Sequence, residues 1–249
     1  VCRGILCYSD FFLLLFVVLK FYIILFPYSL YLTSNYFADR EKYNKLWRSL
    51  NMENFTNFGA GLKKLYIAEL GTLICTVLAL IPVVNIVAGI VLLGFAVLSM
   101  IGLSQAGTVI KGCKTAFILT IILLIFDILQ AVFAPERPGI AMYMLLYIIP
   151  LTIINGMLSF LVVYYICTSV NIILTNMQKN DIAKFGNIVW IIILFTTIFS
   201  IALKLIQRFS YVFDLWLKFL VNGSIAVLSI VNVVLLTIFL GKSSRALQS

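Results

Sequence analysis

The sequence predicts an all-α fold, a polytopic transmembrane helix bundle of six spans, with two readings open for a seventh near the amino end. Three observations carry that prediction. Apolar residues make up 63% of the 249-residue chain and charged ones 11%, where water-soluble domains hold about half and a quarter. The mean hydropathy is +1.13. Two charge-free runs, Leu70–Ile110 and Pro138–Gln178, each extend over 41 residues, about twice what one helix needs to cross the hydrocarbon.

Residues 1–51 are the segment with two readings. Phe11 to Thr33 has the apolar character of a span, interrupted by Lys20 and Pro27. Alternatively, residues 1–51 are a mistranslated leader and the mature chain starts at Met52. Trp47-Arg48-Ser49 can be encoded by bases that contain a bacterial ribosome-binding sequence, and the region lacks the Gly, Ala and Val that pack later helices. A cleavable signal peptide is disfavoured by the missing small-residue cleavage site.

Residues 52–249 form the six-span domain. The first run divides at Pro82-Val83-Val84-Asn85, where Pro ends one helix and Asn opens the next, giving spans at about 65–83 and 86–106. Lys111 and Lys114 precede a third, about 115–134, which stops at Pro135-Glu136-Arg137-Pro138-Gly139. The second run contains Pro150 and Asn155-Gly156 but no strong turn. It reads as one long helix, about 140–168, continuing past the membrane surface. The fifth and sixth spans lie at about 187–206 and 219–240. Between them Lys204, Arg208, Tyr211, Asp214 and Lys218 recur at helical spacing; an interfacial amphipathic helix and the plain outer ends of two spans are both open.

The charge balance has a membrane explanation. Eighteen Lys plus Arg against nine Asp plus Glu give +9, yet the basic residues punctuate apolar runs instead of forming a nucleic-acid-binding face. Lys63, Lys64, Lys111, Lys114, Lys179, Lys184, Lys242 and Arg245 fall on one side. Arg137, Lys204, Arg208 and Lys218 fall on the other. Positive residues concentrate inside, so the expected location is the cell membrane with a cytoplasmic C-terminus.

Polar residues within the spans are the candidate functional groups, because each must be paired, neutral or hydrated there. Asp127 and Gln130 share a face of the third span, with Asn155, Asn222 and Lys204 at comparable depth. Asp127 is either a coupling carboxylate or an interhelical hydrogen-bond clamp, and the clamp is preferred. Glu69, Gln105 and Asn171 form a second set near the inner surface. Asn232 is a further interhelical donor or acceptor. Gly89, Gly94, Ser99, Gly102 and Ala106 on the second span, with Thr152 and Gly156 on the fourth, predict close helix contacts and a central second helix.

Several chemistries are excluded. Without His there is no Ser-His triad or His-based metal site. Five scattered cysteines, with no CxxC, indicate neither a redox motif nor a disulfide framework. No P-loop is present, and no second membrane Asp accompanies Asp127, as an intramembrane aspartyl protease requires. An enzyme is therefore not expected, nor a cofactor. Phe58-Gly59 and Phe185-Gly186 are a faint internal echo, 127 residues apart.

Gly61-Leu62-Lys63-Lys64-Leu65-Tyr66, Ile101-Gly102-Leu103, Lys114-Thr115-Ala116-Phe117 and Gly186 to Trp190 after the Gln178–Lys184 loop resemble segments of small uncharacterised bacterial multi-pass membrane proteins. The resemblance runs from Met52 to Leu203 and implies a membrane bundle but no activity. Two functions stay open: a non-enzymatic membrane component or subunit, in contact with lipid and with other membrane helices or a second copy; or a small-solute or ion transporter using Asp127.

Overall fold

A computed structural model describes residues 52–78, 85–133, 141–209 and 215–247. The N-terminal extension and its candidate span, the Pro82 turn, the Pro135–Gly139 loop and the centre of the 204–218 segment lie outside the described residues. Within them the chain is all helical, without strands: α1 (Met52–Leu78), α2 (Asn85–Gly107), α3 (Lys111–Phe133), α4 (Ala141–Asn176), α5 (Asn180–Phe209) and α6 (Leu215–Ala246).

Four of these are long and apolar enough to cross a membrane, over Val87–Gly107, Pro150–Asn176, Asn180–Leu205 and Phe219–Ala246. The charged residues of the other two are Glu53, Lys63, Lys64 and Glu69 on α1, and Lys111, Lys114 and Asp127 on α3. A chain with these helices is a membrane protein in its physics. Val87, Ile90, Phe195 and Phe219 are each more than 60% exposed, a surface that suits contact with lipid.

Each helix packs along its successor, and α6 returns to pack along α1, so the six form a closed up-and-down ring. The registers confirm antiparallel neighbours. Gly61 meets Gly102 while Gly71 meets Phe95 across α1 and α2, and Gly156 meets Ile201 while Gly186 meets Asn171 across α4 and α5. Two tight turns lie at one end of the ring. After α2, the amides of Val109 and Ile110 both bond to the Ala106 carbonyl, at 3.2 Å. After α4, the Lys179 amide reaches back to the Leu174 carbonyl and the Gln178 amide to Thr175, with Gln178 left-handed at φ 60°. That is a Schellman stop with Gln where Gly is usual.

The core sits at the end holding these turns. Phe58, Leu62 and Leu65 of α1, Leu103 of α2, Cys113 of α3, Val170 and Leu174 of α4, Val189 of α5, and Phe239 and Leu240 of α6 are all buried there. The expected central second helix is corrected: α2 is exposed over most of its length, and no neighbouring atom lies within 4 Å of a Cβ placed at Gly89 or Gly94. Its closest backbone contact is at one end, where Gly102 and Ala106 receive Gly61. The most buried membrane-length helix is α4, which packs along α3 and α5 and touches α6.

Candidate intramembrane polar sites

Hydroxyls first satisfy their own helices. Thr76, Thr120, Thr168, Thr237 and Ser243 each donate to the carbonyl four residues back. The pattern removes a donor from the hydrocarbon without needing another helix. Amide and charged side chains are longer and cross between helices instead.

Of the Asp127 set, the structure brings Asp127 and Asn155 together. Asp127 and Asn155 face one another across the α3–α4 seam, and Asn155 Nδ2 donates to Asp127 Oδ1 at 2.6 Å. Antiparallel packing brings them level: Cys113, fourteen residues earlier on α3, lies beside Ser169, fourteen residues later on α4. Asn155 is half-buried and Asp127 exposed, so the carboxylate has one open side. Gln130 is on α3 beyond the described side chains. Asn222 is exposed on α6, a helix whose packing partners are α1, α5 and, more lightly, α4.

The inner set does not form one cluster. Glu69, Gln105 and Asn171 are on three different helices, and two of them take other partners. Lys64 Nζ donates to Gln105 Oε1 at 2.8 Å, joining α1 to α2. Asn171 Nδ2 donates to Asn187 Oδ1 at 2.9 Å, joining α4 to α5, and Trp190 Nε1 donates to the same oxygen at 3.3 Å. Glu69 is half-buried on α1. Asn171 Oδ1 is buried without a hydrogen bond, pressed on the Gly186 backbone where a Cβ would collide with it.

Asn187 and Trp190 escaped the sequence reading. A signal existed: Asn171 stands six residues before the 177–179 turn and Asn187 eight after it, so a hairpin there brings them near one level. Asn232 does cross between helices, accepting from the Thr196 hydroxyl across α5 and α6. Phe185 and Phe239 are ring neighbours, and Lys242 Nζ stands 4.9 Å from the Phe185 centroid. Phe58 is fully buried whereas Phe185 carries a cation, so the two Phe-Gly pairs have different surroundings.

No protein-family model matches the chain, and no curated protein or solved structure is significantly similar to it. Function must therefore be argued from this geometry. Among the described residues no three His, Cys, Asp or Glu side chains lie together as a metal site would require. What the polar side chains do visibly is join adjacent helices of the ring: α1 to α2, α3 to α4, α4 to α5 and α5 to α6.

Proposed function

We propose that this chain is a six-span protein of the cell membrane, with its C-terminus in the cytoplasm, serving as a non-enzymatic component that packs against other membrane helices or a second copy. One observation carries the reading: Asp127, a carboxylate inside the third helix, is bonded to Asn155 of the adjacent helix, as an interhelical clamp would be. The α1 and α3 helices supply the remaining two spans in this reading: Lys64 of α1 is bonded to Gln105, Lys111 and Lys114 stand in the first turn of α3, and Asp127 is bonded to Asn155. The excess of Lys and Arg at the end carrying the two tight turns supports the orientation. The Asp127 set and the Glu69, Gln105 and Asn171 set then have structural duties, and no cofactor is needed.

A second reading, transport of an ion or small solute, draws on the open side of Asp127. Reconstituted vesicles separate the two. Under the clamp, Asp127→Asn retains a bond to Asn155 and its unfolding midpoint stays close to the parent. Asp127→Leu lowers it by about 0.6–1.7 kcal/mol, the range of interhelical bonds in lipid. Solute or proton flux that Asp127→Asn abolishes would establish the transport reading instead.

A further inference from the structure

The seam that closes the ring, between α1 and α6, carries a groove of about 390 Å³. Tyr66, Leu70 and Leu73 line it from α1, and Val234 and Ile238 from α6. The helices run antiparallel here, with Gly241 against the Tyr66 ring: a Cβ at that glycine would lie 2.9 Å from Tyr66 Cε2. From the level of Tyr66 to that of Leu73 the groove follows about 10 Å of helix axis, and its walls are apolar throughout that length apart from Thr237. The Thr237 hydroxyl is already given to the Val233 carbonyl.

One end of the groove is cationic. Lys242 and Arg245 line it, and both are exposed. Lys63, also exposed, precedes Tyr66 by three residues and so shares its side of α1. Lys242 is steadied by the Phe185 ring 4.9 Å away, a contact that holds the ammonium in place without neutralising it. Neither Lys63 nor Glu69, the acidic residue three positions beyond Tyr66, is part of the lining itself. Apolar walls that end in two cations, with Lys63 one turn before Tyr66, match a lipid with a negative headgroup.

We propose that this groove binds an anionic phospholipid, one acyl chain lying along Leu70, Leu73, Val234 and Ile238 and the phosphate meeting Lys242, Arg245 and Lys63. The assignment needs the chain to be in a bilayer but is independent of any transport by Asp127. Such a lipid covers the seam where the first and last helices meet, and so fastens the ring's closure.

Native mass spectrometry of the detergent-purified full chain, titrated with phosphatidylglycerol or phosphatidylcholine of matched acyl chains, tests it. Phosphatidylglycerol is expected to be retained at lower concentration than phosphatidylcholine. The double variant Lys242→Gln/Arg245→Gln should weaken phosphatidylglycerol binding at least tenfold, about 1 kcal/mol being expected for each cation. The control Lys179→Gln/Lys184→Gln, which removes equal charge from the α4–α5 turn, should leave it unchanged. Ile238→Trp, which fills the groove without altering charge, should also weaken binding, and it keeps the test decisive if the double variant fails to fold. Equal loss in both double variants, no preference between the lipids, or displacement by millimolar inorganic phosphate would each overturn the site. A chain that stayed monodisperse without detergent would instead overturn its membrane character.

Discussion

Gly61 decides how closely α1 and α2 approach. A Cβ at this position would lie 2.8 Å from the Gly102 carbonyl oxygen and 2.8 Å from the Ala106 amide nitrogen. Both are backbone atoms within helices, so neither can swing aside as a side chain would. Gly61→Val is therefore expected to destabilise the protein by about 1–3 kcal/mol, the usual cost of overpacking, seen as a lower unfolding midpoint in mixed micelles. Gly89 is the matching control. It has the same residue type on the same pair of helices but open space around it, so Gly89→Ala should be neutral or stabilising, by at most about 1 kcal/mol from helix propensity. If the two substitutions cost the same, the backbone contact at Gly61 is not what holds the pair. The comparison also shows where sequence reading stops. A small residue permits close approach but does not name the helix that approaches. The Gly102/Ala106 pair was legible as a contact site, Gly61 was legible only as part of a short motif, and Gly89 and Gly94 gave the same signal with nothing opposite them.

At the scale of elements, apolar run length located the helices well and their partners poorly. The 41-residue run after Pro138 is one helix from Ala141 to Asn176 with Pro150 inside it. Pro is tolerated in that position because, in lipid, breaking the helix would expose far more unpaired backbone than the proline itself does. The extent past the apolar core was also legible, since at 1.5 Å per residue the helix exceeds the hydrocarbon thickness. Depth could be counted along the chain, and so Asp127 and Asn155 were recognised as level. Azimuth could not be, and for that reason Gln105 and Asn171 were grouped with Glu69 instead of with Lys64 and Asn187. The α4–α5 hairpin tests how much such a bond contributes. A double-mutant cycle over Asn171→Ala and Asn187→Ala should give a coupling of about 0.6 kcal/mol and no more than about 1.7 kcal/mol. Zero coupling would mean that Trp190 alone satisfies the Asn187 oxygen.

For the described unit as a whole, burial runs as a gradient along the ring axis. The end with the two tight turns contains the fully buried side chains, among them Phe58, Leu103, Leu174 and Phe239, while described residues toward the other end of α2, α3 and α6, such as Ile90, Ile128 and Leu220, are exposed. The cause lies in the contacts already described. Close backbone approach at Gly61 and Gly102, the side chains seated on Gly186, and the Lys64, Asn171 and Asn187 bonds all concentrate where the turns hold neighbouring helices together. Away from the turns lipid replaces protein as the neighbour, and because lipid is as apolar as a leucine side chain, nothing is lost by leaving the helices apart there. The expected consequence is a steep dependence of mutational cost on position. Leu174→Ala, from a fully buried site, leaves a cavity lined by protein that cannot relax, and should cost about 2–5 kcal/mol. Leu220→Ala, from a side chain 62% exposed, leaves a dent that lipid or detergent refills, and should fall within about 0.5 kcal/mol of the parent. Unfolding of both variants in the same micelles provides the measurement. Equal penalties would show that protein encloses Leu220 as it does Leu174, and the exposed apolar surface would then face another protein surface in place of lipid.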